Sequence, residues 1–142
     1  MLKEVELKHY MVQNPVKVQA DANLLDAIHL ILVNKISGLC VVDEHNRLVG
    51  VLSETDCLRG VLSATYNDTG IGTVGEFMTS QGLYTASPGD QIVDVAADML
   101  KQKIRRRPVV GSDGELLGQI TIRQILRAVK EFSSPKDRSE SD

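Results

Sequence analysis

Displacing this chain by 68 residues lays one half over the other, and no other feature constrains its fold as tightly. The offset holds without a break over residues 25–58. Leu25-Asp26 falls on Val93-Asp94, Lys35-Ile36 on Lys103-Ile104 and Val41-Val42 on Val109-Val110. Leu48-Val49-Gly50 falls on Leu116-Leu117-Gly118, Ser53 on Thr121 and Leu58 on Leu126. Met11 and Met78 are 67 apart, so the second copy gains one residue in between. About three repeats are needed for a solenoid, whereas two copies can cover each other's apolar surface. The informative positions are then those where the copies differ.

Helical spacing at Leu24, Leu25, Ile28, Ile31 and Leu32 predicts a helix over about 23–35, capped by Asp21 or Asn23. An apolar run, Leu39-Cys40-Val41-Val42, predicts a buried strand. The turn Asp43-Glu44-His45-Asn46 leads to a second strand over 48–52, and helical spacing resumes at Leu58, Val61 and Leu62. The second copy predicts a helix over about 90–103, strands at 107–110 and 116–120, and a helix over about 122–131. Extended pieces, Pro15-Val16-Lys17-Val18 and Leu83-Tyr84-Thr85-Ala86, precede the long helices. The expected class is therefore α+β, a β-α-β-β-α unit used twice. Boundaries are expected at 1–66 for an N-terminal extension plus the first repeat, 67–73 for a polar Gly-containing linker and 74–132 for the second repeat. Residues 133–142 carry no apolar side chain and are expected to be a mobile tail.

The bulk numbers exclude several functions. Net charge is −3 over 142 residues, so no global basic field favours nucleic acid. The segment Met1-Leu2-Lys3-Glu4-Val5-Glu6 has acids where a signal peptide has a basic start, and no run approaches a membrane span. A cytoplasmic protein is expected, with Cys40 and Cys57 as buried free thiols. His9, His29 and His45 have no metal-type spacing, so no metal is expected. No nucleophile–base set or phosphate-cradling Gly-rich loop is visible, so an enzyme is not expected.

Two turns separate the copies. After the second strand, Ser53-Glu54-Thr55-Asp56 becomes Thr121-Ile122-Arg123-Gln124. A capping box explains both, Ser53 with Asp56 and Thr121 with Gln124. Capping, however, works as well with Gln; a carboxylate can in addition accept from both hydroxyls of a ribose, beside a helix N-terminus that favours anions. Before the middle strand, Ser37-Gly38-Leu39-Cys40 becomes Arg105-Arg106-Arg107-Pro108. A triple Arg is commonly a solvated run. Lying between an apolar helix and an apolar strand, this one should turn at least one guanidinium into a crevice, where phosphate is its usual ligand.

These residues carry a family resemblance. The pattern apolar-Gly-apolar-apolar-Ser/Thr-x-x-Asp after a strand, the middle run ending in Pro-Val-Val and a Met at the start of each copy resemble cystathionine β-synthase (CBS) domains. A tandem pair of them is a Bateman module. The resemblance spans roughly 8–130 and implies a stand-alone, non-catalytic sensor of an adenosine-containing ligand such as AMP, ADP or ATP, with no cofactor required.

It implies two inter-repeat clefts. The first would place Ser53 and Asp56 on the ribose, with Val51 and Leu52 beside it. It would set Leu83 and Tyr84 along the base, Arg105 and Arg106 at the phosphates and Arg123 at the facing helix start. The second would have Gln124 for Asp, Ser37 and Gly38 for the basics, Thr55 opposite and Val16 and Lys17 as its wall. Only Lys17 and Lys35 would supply charge there, so one main site is expected. The resemblance also implies a homodimer through the second helix of each copy, and a regulated target protein. No nucleic acid or membrane partner is expected. The alternative is a structural dimerisation module with both clefts empty.

Overall fold

The computed structural model describes residues 2–132; the expected mobile tail lies outside them. Short 3-10 turns at Leu2–Glu4 and Leu7–His9 precede β1 (Val12–Gln13) and β2 (Lys17–Gln19). Then come α1 (Leu24–Asn34), β3 (Gly38–Val42), β4 (Leu48–Ser53), α2 (Glu54–Asn67) and α3 (Val74–Phe77). The second copy supplies α4 (Ile92–Gln102), β5 (Arg106–Val110), β6 (Leu116–Thr121) and α5 (Ile122–Glu131). The class is the expected α+β, with two three-stranded sheets, β1-β6-β5 and β2-β3-β4. The first extended piece becomes β2, parallel to β3 from Lys17↔Cys40 to Gln19↔Val42. The second makes one parallel bridge, Ala86↔Val109.

The first helices of the two copies, α1 and α4, end alike. Of the two candidate caps for α1, Asn23 is used; its side chain accepts the Leu25 N–H at 2.8 Å. The helix stops at Lys35, which is left-handed at φ 54°, and α4 stops at Lys103 with φ 58°. The following N–H reaches back across the last turn, Ile36 to the Ile31 carbonyl and Ile104 to the Met99 carbonyl. Ile36 and Ile104 then pack on the core, the hydrophobic contact that accompanies such a stop.

The chain divides into two compact units that do not follow the sequence repeat. One holds Pro15–Tyr84 with Ser112–Leu116. Its strand β3 is buried along its length. Leu39 and Val41 join Leu24, Ala27, Ile31 and Leu52 on the helix side, while Cys40 and Val42 meet Leu48 and Leu116 on the other face. Cys40 and Cys57 are buried and outside any disulfide, as expected, and burial pushes the Cys57 thiol up from its ordinary pKa.

The other unit holds, of the described residues, 2–14, 85–111 and 117–132. Its core joins Leu7, Ile92, Met99, Val109, Ile120 and Ala128. Here β1, at the start of the first copy, pairs antiparallel with β6 of the second through Val12↔Gln119 and Gln13↔Gly118. Reciprocally, in the first unit Thr79, leading into the second copy, bridges Val51 on β4. Each copy's leading segment thus completes the sheet of the other copy. Glycine permits both crossings. A Cβ on Gly118 would stand 2.6 Å from the Val12 carbonyl oxygen, and one on Gly50 2.7 Å from the Met78 sulfur and 2.9 Å from the Thr79 carbonyl oxygen.

Candidate functional site

The β4–α2 turn is a complete capping box. Ser53 Oγ accepts the Asp56 N–H at 3.1 Å, and Asp56 Oδ2 accepts the Ser53 N–H at 2.9 Å. The Glu54 N–H donates to the Ser37 carbonyl at 3.0 Å, which ties the helix start to the lead into β3. Gly38 pairs with Ser53, and a Cβ there would come within 2.8 Å of the Leu52 carbonyl oxygen.

Asp56 is only 6% exposed. Its second oxygen, Oδ1, accepts from Arg59 Nη1 at 2.9 Å, and the Arg59 side chain is 61% exposed. A desolvated carboxylate held at both oxygens is oriented, and each oxygen keeps a lone pair for a further donor. Sequence reasoning missed Arg59, although its place three residues after Asp56 on a helix is the signal for such a pair.

The other expected residues of this unit are placed unevenly. Val51 and Ser53 are half-buried on one face of β4, Leu83 is half-buried and Tyr84 is exposed. Leu52 is placed differently: at 1% exposure its side chain belongs to the helix-side core, because alternate strand residues face opposite ways. Only its main chain is left to meet a ligand.

The β6–α5 turn departs from expectation. Thr121 Oγ1 accepts the Gln124 N–H at 3.2 Å, but the return bond of a capping box is not formed. Among the described residues, Gln124 Oε1 is buried without a hydrogen-bond partner. The equivalent tie is kept, Ile122 N–H to the Arg105 carbonyl at 3.1 Å.

Within the triple Arg, the guanidinium that turns inward is Arg107, at 6% exposure. Its Nη2 lies 2.6 Å from Asp98 Oδ2 on α4, and the partnership holds the Asp98 carboxyl below its ordinary pKa. The interior arginine is thus met by a carboxylate of its own chain. Arg106 is half-buried and projects from the opposite face of β5; Arg105 is exposed, as is Arg123 in the first turn of α5. Of the two lysines near the second expected cleft, Lys17 donates to Asn46 Oδ1 at 2.6 Å, and Lys35 is the exposed stop of α1.

Asp56 lines neither of two cavities among the described residues. One of about 600 Å³ runs beside α5, lined by Glu4, Glu6, His9, Tyr10, Gln124 and Arg127 among others; one of about 620 Å³ is lined by His45, Arg47, Asp113 and Glu115. Among the described residues, no group of three His, Cys, Asp or Glu is placed to hold a metal ion, and no helix is long and apolar enough to cross a membrane.

Comparison with known proteins adds the following. A family model described as CBS domain matches residues 6–63 and again 74–131. Inosine-5'-monophosphate dehydrogenase of Aquifex aeolicus is 35% identical over 127 residues, which is 89% of this chain and 25% of that protein. The chain likewise spans 25% of the dehydrogenases of Nitrosopumilus maritimus and Halalkalibacterium halodurans. The crystal structure of CBSX2, a protein of Arabidopsis thaliana, in complex with AMP superposes with a TM-score of 0.78 at 30% identity, covering 89% of this chain and 96% of that one. The CBS domain pair of protein MJ0100, in complex with 5'-methylthioadenosine and S-adenosyl-L-methionine, gives a TM-score of 0.73 at 25% identity, covering 91% of this chain and 98% of that one.

Proposed function

This chain belongs to the CBS domain family, with two such domains in tandem, and on that premise we propose that it is a non-catalytic regulatory module sensing an adenosine-containing ligand. One observation carries the reading: a buried, ordered carboxylate, Asp56, stands at a strand–helix turn where the other copy has Gln124. A cis-diol can donate to both oxygens of such a carboxylate at once. The ligands of the two solved relatives, AMP in one and 5'-methylthioadenosine with S-adenosyl-L-methionine in the other, share adenosine. In this reading Asp56 and Ser53 hold the ribose, and Val51, the Leu52 main chain, Leu83 and Tyr84 lie along the base. Arg105, Arg106 and Arg123 meet the phosphates of AMP, ADP or ATP as guanidiniums, without a metal. The module acts as a homodimer and passes ligand occupancy to a target protein.

Thermal denaturation with adenosine, AMP, ADP, ATP, 5'-methylthioadenosine and S-adenosyl-L-methionine, in excess chelator, tests this. A ligand that binds only the folded state raises the melting temperature with concentration, and at least one adenosine compound is expected to do so. No shift with any of them leaves the structural dimerisation module with empty clefts.

A further inference from the structure

The segment before β1 builds, with α5, a cavity that the Asp56 site does not use. Its two 3-10 turns are tied down on the core side. The Leu7 N–H donates to the Asp90 carbonyl at 2.8 Å, and the Ile92 N–H donates to the Val5 carbonyl at 2.9 Å. Across from them, Gln124, Arg127 and Glu131 follow at i, i+3 and i+7 and so share one face of α5. The cavity they line is about 600 Å³, within the usual range of small-molecule sites, about 300–1,000 Å³. None of Val16, Lys17, Ser37 or Gly38, the residues expected around Gln124, lines it.

The polar lining divides into groups with a partner and groups without one. Glu6 pairs with Lys8 at 3.0 Å, and the Tyr10 hydroxyl donates to Glu131. Among the described residues, the Arg127 guanidinium has no ion pair, and the Gln124 side chain makes no hydrogen bond although its Oε1 is buried. A buried acceptor without a donor costs stability, and a free guanidinium beside it is a fork shaped for a carboxylate. From this we infer that the cavity binds a free α-amino acid with an apolar side chain. The carboxylate pairs with Arg127, the ammonium donates to Gln124 Oε1, and the side chain lies on Val5, Met11 and Phe132. The terminal torsion of a Gln is soft, so the amide turns Oε1 from the wall to the ammonium. Net charge selects further. Glu4, Glu6 and Glu131 repel a phosphate dianion, whereas a zwitterion brings no net charge to them.

Calorimetry with L-leucine, L-methionine and L-phenylalanine tests this on wild type, Arg127→Met and Gln124→Leu. At least one of the three is expected to bind wild type, and each variant to weaken it about tenfold or more. Arg127 is exposed and the Thr121 cap uses only the Gln124 main chain, so both variants keep the fold's contacts. The wild type alone supplies a second measure: the amide of the bound amino acid, which lacks the carboxylate, and its des-amino analogue should each bind at least about tenfold more weakly. No binding by any of the three overturns the inference, as does full affinity in Arg127→Met. A des-amino analogue or inorganic phosphate that binds as tightly as the amino acid would make this a plain anion site and overturn the assignment. AMP titrated separately reports on Asp56, so failure of one site is told apart from failure of the other.

Discussion

Arg107 and Asp98 form an ion pair at the positions where the first copy has Leu39 and Leu30. Leu39 is 3% exposed and Leu30 packs on the same core, so one copy closes the helix–strand contact with hydrocarbon and the other with charge. Arg107 is more deeply buried than Asp98. Removing the carboxylate therefore leaves a buried cation, whereas replacing both partners restores the arrangement of the first copy.

Asp98→Leu should lower the melting temperature by about 5 °C or more, while the double variant Asp98→Leu, Arg107→Leu should return it to near wild type. The pH dependence has a defined sign. Because Arg107 depresses the folded-state pKa of Asp98, the stability it contributes is present above the ordinary carboxylate range, about pH 4, and is lost as pH falls through the depressed value. The double variant should accordingly lose less stability than wild type below about pH 4. Melting curves from pH 7 to pH 2 decide this; parallel acid limbs for the two proteins would refute it.

Asp56 and Gln124 should differ in both stability and binding. Asp56→Ala removes a complete capping box and should cost about 1 kcal/mol. Gln124 makes no return bond and buries an unpartnered oxygen, so Gln124→Leu should be neutral or stabilising. Loss of charge-assisted bonds to a ribose costs about 1.5–3 kcal/mol, so Asp56→Ala should weaken AMP roughly ten- to a hundredfold. Gln124→Ala should barely change it, and Arg106→Ala should weaken AMP more than adenosine. Calorimetry finding two equal sites per chain, or equal losses at Asp56 and Gln124, would contradict the single-site reading.

Glycine at the two crossings should resist even alanine. Gly118→Ala drives a Cβ into the Val12 carbonyl and Gly50→Ala into Met78 and the Thr79 carbonyl, each costing about 1–3 kcal/mol. Gly70→Ala meets nothing within 4 Å and should be neutral or slightly stabilising, by up to about 1 kcal/mol. Urea unfolding of the three variants ranks them; a harmless Gly118→Ala would mean the crossing is looser than described.

Self-association should occur through apolar helix surface. On α2, Leu58 and Leu62 are 60% and 42% exposed; on α5 and its C-cap, Leu126, Val129 and Phe132 are 61%, 45% and 48% exposed. Stripes of this kind mark interfaces. Sedimentation should give a dimer at about tens of micromolar, with Leu58→Glu and Leu126→Glu shifting it to monomer. A wild-type monomer at that concentration would rule the dimer out.

The long helices, both middle strands and the Asp56–Gln124 contrast were legible because each is local, a period of 3.6, an apolar run or a cap at fixed spacing. What escaped was non-local or too short. The two residues of β1 and four of α3 carry no periodicity, and the pairing of Val12 with Gln119 leaves no local mark. That one guanidinium of the triple Arg turns inward was legible, but not that it is Arg107 or that Asp98 stands opposite it. Strand alternation from Ser53 would have sent Leu52 inward, but its proximity to the motif obscured that. A shared cap signature also hid that only one turn forms the full box.

The exchanged leading segments give the chain a temporal order as it is made. Val12 finds its strand partner 107 residues later, at Gln119, so β1 waits until β6 has emerged. Such distant pairing delays closure, whereas the unit built on Pro15–Tyr84 gathers most of its contacts from one continuous stretch. The duplicated stretch of sequence consequently does not coincide with either compact unit. Cutting the chain midway would leave each fragment with an uncovered sheet edge and a leading segment without its partner, the two halves of an aggregation pair.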